Sequence, residues 1–221
     1  MIGVVALVAV AAAVDGIRGG ERKPEPRSPG ADAIDVASTA ESVSGTLVYL
    51  DRHSDLNVPS STIDGALDWM GVAHMLGLPG TLPALGSPPL LAAADVLLLA
   101  ADADQMRQAE QRAIAEHGIR AIPMADVAAD PAIAAERALA LLGHEHVLVH
   151  FDVDVVDFVD LPLSENTGLN IGLPFATATA ALDVLTADPR VATLTVTEHN
   201  PLHGAADGST TAALAAALKR G

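Results

Sequence analysis

The chain has 221 residues, half of them hydrophobic, and its 28 acidic and 12 basic side chains give a net charge of -16. This length fits one domain with a sizeable core, and the negative charge argues against nucleic acid and anionic membrane surfaces as partners. The sequence has no cysteine, which excludes disulfides, thiolate zinc sites and a cysteine nucleophile, so any metal must be held by oxygen and nitrogen.

Two N-terminal segments precede the first predicted strand. The apolar run at residues 2–14 has no preceding Lys or Arg and is shorter than a membrane span, which favours a buried helix, with a weak secretion signal as the alternative. Residues 16–45 are rich in Gly, Pro, Ser and charge and predict a long mobile loop. We therefore expect a single cytoplasmic domain over residues 1–221, with residues 16–45 as a flexible loop insertion.

Apolar runs and amphipathic segments then alternate along the chain. The predicted strands span residues 46–50, 96–100, 119–123, 147–151 and 191–197, and each is apolar throughout, as strands covered on both faces are. The predicted helices lie around residues 69–76, 103–117, 131–142, 174–186 and 209–219. Strict alternation of strand and helix predicts an α/β fold with three αβα layers around a parallel sheet.

Acidic side chains and one histidine cluster where three of the predicted strands end. They are Asp51, His53 and Asp55 after the first strand, Asp152 and Asp154 after the fourth, and Glu198 after the fifth. The ligand site of a parallel sheet lies beyond the carboxyl ends of its strands, and carboxylates crowded there repel one another unless positive charge lies among them. The sequence therefore predicts a divalent cation, since neither a helix cap nor a solvated strand end explains all three strand ends together.

The donor types indicate which cation this is. Four aspartates and one histidine are mostly hard oxygen donors, which suit Mn²⁺ or another octahedral ion better than zinc. Five ligands exceed the needs of one structural site. Two ions that share bridging carboxylates, about 3.5 to 4 Å apart, would use all five.

Three segments carry a resemblance to a known family. DRHSDLN (51–57) resembles the Asp-Ala-His-x-Asp-x-Asn strand end of the manganese ureohydrolases, the group of arginases, agmatinases and formimidoylglutamases. HFDVDVVD (150–157) resembles their Ser-Phe-Asp-Val-Asp signature, and EHNP (198–201) resembles their Glu-x-Asn-Pro segment. The resemblance runs from about residue 46 to the C-terminus, and it implies an arginase-like fold that lacks the family's first strands.

The resemblance also implies a role for each residue of the cluster. The metal ligands would be Asp51, His53, Asp55, Asp152 and Asp154, with Asp51 and Asp152 bridging the ions. A metal-bound hydroxide, hydrogen-bonded to Asp55, would attack the guanidino or amidine carbon of a small cationic substrate held by Glu198. Asn57 and Asp104 would line the substrate pocket. Family members commonly form trimers or hexamers, so a homo-oligomer is expected.

Two departures from the family pattern leave alternatives open. The family's sixth ligand, a histidine in a Gly-Gly-Asp-His segment, has no counterpart, so one ion site lacks its only imidazole while the other keeps its ligands. Asp68 stands where the family has a proton-shuttling histidine, and an aspartate could replace it only with a raised pKa. The alternatives to a ureohydrolase are a degenerate, inactive family member and a mononuclear enzyme resembling the histone deacetylases. We interpret His150 as a buried, hydrogen-bonded residue and not as a ligand.

Overall fold

The computed structural model of the protein describes residues 45–62, 65–83 and 89–219. The predicted helix at residues 2–14 and all of the predicted loop except Gly45 lie outside this part of the chain. Within it, no helix is both long and apolar enough to cross a bilayer.

Five strands form one fully parallel sheet. They are β1 (Thr46–Leu50), β2 (Val96–Ala101), β3 (Arg120–Pro123), β4 (Val147–Asp152) and β5 (Val191–Thr197). The strand order is β3-β2-β1-β4-β5, and each predicted strand is confirmed to within one residue. The chain builds outward from β1 to β3 and then returns to place β4 on the other side of β1. The point where the strand order reverses therefore lies between β1 and β4, where parallel sheets of this kind bind ligands.

Six α-helices connect or follow the strands in the described residues. They are α1 (Gly71–Met75), α2 (Gln108–His117), α3 (Met124–Ala129), α4 (Pro131–Ala140), α5 (Phe175–Thr186) and α6 (Ser209–Leu218). All five predicted helices are present with shorter bounds, but α3 was not predicted. Strict alternation is wrong between β3 and β4, where α3 and α4 follow one another. A helix of six residues is too short to show a clear hydrophobic period.

Apolar side chains cover both faces of the sheet and confirm the three layers. Along β1, Val48 and Leu50 join the cluster formed with α3 to α6, whereas Leu47 and Tyr49 join the cluster formed with α1 and α2. This alternation follows from the period of two in a strand. β1, β2 and β4 are buried along their whole length. β3 and β5 are partly exposed, so the prediction that every strand is covered on both faces is wrong at the two outer strands.

Candidate metal centre

The same local turn follows both central strands. β1 and β4 pair in register, Leu50 opposite Phe151, so the residues that follow them are neighbours. Asp51 Oδ1 accepts the backbone N–H of His53 at 2.8 Å, and Asp152 Oδ1 accepts that of Asp154 at 2.9 Å. Aspartate side chains favour such turns because they bond to the backbone two residues ahead. Each turn therefore keeps a second potential ligand, His53 or Asp154, close to the end of its strand.

The turns bring three of the predicted ligands into one compact cluster. Asp51, His53 and Asp154 each offer a ligand atom, and these atoms all lie within 4.8 Å of one another. His53 Nδ1 is 3.4 Å from Asp51 Oδ1 and 3.2 Å from Asp154 Oδ2. The cleft around the cluster is also lined by Asp55, Asp68, Asp152, Asn166 and Glu198. Acidic and imidazole groups from β1, β4 and the end of β5 therefore face one space.

One side of the cleft contains the positive charge, and we call it the basic half: Arg52, His53, Asp154 and Asn166. Asp154 Oδ2 accepts from Arg52 Nη2 at 3.3 Å and from Asn166 Nδ2 at 3.2 Å. Burial raises the pKa of Asp154, but the hydrogen bond and charge of His53 and the charge of Arg52 outweigh burial and hold this pKa below its ordinary value. Burial lowers the pKa of His53, but Asp154 and Asp51 outweigh it and raise that pKa to about 12.

The other side holds its carboxylates with hydroxyl groups, and we call it the hydroxyl half: Tyr49, Asp55, His150, Asp152 and Thr197. Tyr49 donates its hydroxyl proton to Asp55 Oδ2 at 2.5 Å, and Thr197 donates to Asp152 Oδ2 at 2.8 Å. Burial and the negative charges of the neighbouring aspartates raise the pKa of Asp55 and of Asp152 well above the ordinary value. A neutral hydroxyl satisfies a carboxylate oxygen without cancelling its charge.

A directed chain of hydrogen bonds fixes His150 within this half. Since the single hydroxyl proton of Thr197 goes to Asp152, the Thr197 oxygen accepts from His150 Nε2–H at 3.0 Å. His150 Nδ1 then accepts from the Thr195 hydroxyl at 3.0 Å. The ring stacks on Tyr49 with centroids 4.2 Å apart, and burial lowers the pKa of His150 to about 3. His150 is thus a buried, neutral, fully bonded residue, as interpreted from the sequence.

Negative charge remains in excess at the centre of the cleft. Burial, followed by the charge of Asp154, raises the pKa of Asp51 to about 6. Burial, followed by the charges of Asp154 and Asp68, raises the pKa of Glu198 to about 7. Asp55 and Glu198 also adopt left-handed backbone conformations, with φ of 50° and 59°. Such strain in residues other than glycine concentrates at functional sites.

The donor set fits a divalent cation. Asp154 Oδ1 is buried and has no hydrogen-bond partner among the described residues, although an unpaired buried polar atom costs stability. A metal ion would satisfy this oxygen and cancel part of the surplus charge. Asp51, His53 and Asp154 are the residues that could hold one ion. Asp55 and Asp152 face the same cleft but stand outside this three-residue cluster.

The remaining predicted site residues lie at different places. Asp68 lines the cleft from the short 3₁₀ helix Leu67–Met70. Asn57 is buried and accepts from the Ser61 hydroxyl at 2.9 Å, while Asp104 is exposed in the turn after β2. Neither Asn57 nor Asp104 is among the cleft-lining residues of the described chain. Their predicted roles in substrate binding stay predictions.

Four residues of the site were missed by sequence reasoning. They are Tyr49, Arg52, Asn166 and Thr197. A signal existed for two of them, because Arg52 stands inside the Asp-x-His motif and Thr197 directly precedes Glu198. No sequence signal marked the other two, because Tyr49 fits any buried strand and Asn166 fits any loop.

Known proteins share this architecture. The model of the arginase family matches residues 34–220. The arginase of Bacillus subtilis superposes with a TM-score of 0.71 at 20% identity, over 80% of this chain and 60% of that one. The Entamoeba histolytica arginase in complex with L-ornithine gives 0.72 at 18% identity, over 97% and 66% of the two chains. A variant of the Trypanosoma cruzi formiminoglutamase with Mn²⁺ gives 0.59 at 20% identity, over 72% and 49%.

The match has limits in both length and sequence. The chain spans 60% of the length of the Bacillus subtilis enzyme and 49% of that of the Trypanosoma cruzi enzyme. No curated protein sequence matches it significantly. At 18 to 20% identity, the likeness to the solved structures shows the fold.

Proposed function

This chain belongs to the arginase family, and we propose that it is a metal-dependent hydrolase of linear C–N bonds in guanidino or amidine compounds. The observation that carries the proposal is the compact cluster of Asp51, His53 and Asp154, in which the buried Asp154 Oδ1 has no hydrogen-bond partner among the described residues. Such a cluster is costly to maintain in a protein interior unless a cation binds there.

We propose Mn²⁺ as the ion, held by Asp51, His53 and Asp154. The oxygen-rich donor set and the formiminoglutamase structure determined with Mn²⁺ support this choice. When bound, such an ion supplies Lewis-acid activation of the water that hydrolysis consumes. The compact cluster of three ligands favours one ion over two.

We propose that the substrate is a small cation and that Glu198 holds it. Glu198 is half-buried at the edge of the cleft, where the charges of Asp154 and Asp68 add to its own. A guanidinium or amidinium group offers paired N–H donors that match a carboxylate, and its charge would relieve the repulsion between these acids. The Entamoeba histolytica arginase structure contains L-ornithine, a small molecule with an amine side chain.

Hydrolysis also requires that a proton reach the departing amine. Asp68 lines the same cleft, and its charge raises the pKa of Glu198 after burial and the charge of Asp154. We propose that Asp68 transfers this proton. A homo-oligomeric state and a cytoplasmic location stay predictions.

The proposal is tested on the full chain loaded with Mn²⁺. Release of urea, ammonia or amine would be measured with arginine, agmatine and formimidoylglutamate. We expect release from at least one compound, dependent on Mn²⁺, abolished by a chelator and lost in Asp154→Asn. Tight Mn²⁺ binding without turnover of any guanidino or amidine compound would instead indicate a non-catalytic family member. Absence of Mn²⁺ binding would contradict the metal centre itself.

A further inference from the structure

Arg52 is an unusual residue for the centre of a metal site. It lies between Asp51 and His53 in the sequence, and it is the largest of the fully buried side chains, with 1% exposure. A guanidinium stays charged at all ordinary pH values. The protein therefore places a permanent positive charge among the carboxylates that a divalent ion would use.

The contacts of Arg52 reach two of the three ligands in the cluster. Its Nη2 donates to Asp154 Oδ2 at 3.3 Å, and its Nε lies 3.4 Å from His53 Nε2. Gly168 lies beside the guanidinium, since a Cβ at that position would lie 3.5 Å from Nη2. The guanidinium is thus buried beside the cluster.

The position of Arg52 opposes metal binding by its charge. Asp154 Oδ2 accepts a hydrogen bond from Arg52 Nη2 at 3.3 Å, so the guanidinium already supplies positive charge to a carboxylate that would hold the ion. A divalent ion on the same carboxylate would lie close to this fixed charge, and like charges repel.

We propose that Arg52 is an internal counter-cation that competes with the divalent ion for Asp154 and so lowers the metal affinity of the cluster. The inference rests on the proposed function, because it concerns the same ion site. A unit charge this close to a divalent ion, screened by the solvent in the cleft, changes the affinity for that ion by at least about one order of magnitude. The metal affinity is thus set by a residue that is not itself a ligand.

The test compares Mn²⁺ binding by the chelator-treated full chain and two variants, using titration calorimetry. Arg52→Met fills a similar volume without charge and should bind Mn²⁺ about ten- to hundredfold more tightly than the wild type. Arg52→Lys keeps the charge and should stay within about threefold of the wild type. Thermal unfolding gives a second readout: Mn²⁺ should raise the melting temperature of Arg52→Met by more than that of the wild type.

The outcomes separate this inference from the proposed function. Equal or weaker binding by a folded Arg52→Met, with a wild type that binds Mn²⁺ and an Asp154→Asn that does not, would overturn the role of Arg52 alone. Tightening by Arg52→Lys equal to that of Arg52→Met would overturn the charge argument. If neither the wild type nor Arg52→Met binds, both proposals fail. Should Arg52→Met not fold, Arg52→Gln takes its place with the same expected tightening.

Discussion

The two halves of the cleft differ in how they hold their carboxylates. In the basic half, Asp154 accepts hydrogen bonds from Arg52 and Asn166 and lies next to His53. The pKa of Asp154 is lowered. In the hydroxyl half, Asp152 accepts a hydrogen bond from the Thr197 hydroxyl, and the pKa of Asp152 is raised. These aspartates are two residues apart on one strand end. Their charge states are thus decided by groups from other parts of the chain and not by the motif that contains both.

The difference shows which half of the cleft supplies positive charge from its own side chains. Arg52 and His53 are the positive side chains that face the cluster, and both lie in the basic half. The hydroxyl half supplies hydrogen bonds without charge, so its carboxylates either take up protons or share a bound ion. Three variants and one titration test this contrast.

The largest effect is expected in the basic half, from Asp154→Asn. This change leaves the buried Arg52 without its carboxylate, and breaking a buried ion pair in this way costs about 3 kcal/mol of unfolding free energy. Mn²⁺ affinity should fall by at least about a hundredfold, because the cluster loses one of its three ligands. Urea denaturation and equilibrium dialysis measure the two quantities.

Glu116→Gln is the matched control for this variant, since Glu116 is exposed on α2 and should change neither quantity. A folded Asp154→Asn that keeps the Mn²⁺ content of the wild type would refute the assignment of Asp154 as a ligand.

A smaller effect is expected in the hydroxyl half, from Thr197→Val. The change removes the donor to Asp152 and the acceptor of His150 Nε2–H. Leaving a buried N–H unpaired costs about 1 to 2 kcal/mol, which urea denaturation would detect. Thr193→Val, on the same strand, should change the unfolding free energy by no more than about 0.5 kcal/mol. Equal losses in the two variants would mean that the hydrogen-bond chain through Thr197 does not stabilise the site.

The sequence predicted the acids of both halves but not their partners. Asp51 and Asp152 could be found because they follow buried apolar runs, and the ends of neighbouring parallel strands must meet. The contact between Arg52 and Asp154 joins residues 102 positions apart, and it depends on the direction of a long side chain. The stacking of Tyr49 on His150 depends on the pairing register of β1 and β4. Local patterns contain neither kind of information.

Asp68→His would place an imidazole in the cleft outside the basic half. If proton transfer through position 68 limits turnover, product release should rise by about tenfold, because an imidazole titrates nearer to neutral pH than a carboxyl group. Glu116→His, at an exposed position on α2, tests whether any added histidine has the same effect. An unchanged rate in Asp68→His would show that proton transfer at this position is not the slow step.

The smallest expected effect is the pH dependence that Glu198 gives to the metal-free protein. Burial, with the charges of Asp154 and Asp68, raises the pKa of Glu198 from 4.5 to about 7. Between about pH 6 and pH 8, Glu198 of the unfolded chain is already deprotonated, whereas Glu198 of the folded chain is still losing its proton. The folded state therefore binds more protons than the unfolded state, and its stability falls as pH rises. Thermal unfolding in the presence of a chelator should therefore show a lower melting temperature at pH 8 than at pH 6, and Glu198→Gln should show a smaller decline. An equal decline in both proteins would assign the effect to the other cleft carboxylates with raised pKa, Asp51, Asp55 and Asp152, and it would contradict a contribution from Glu198.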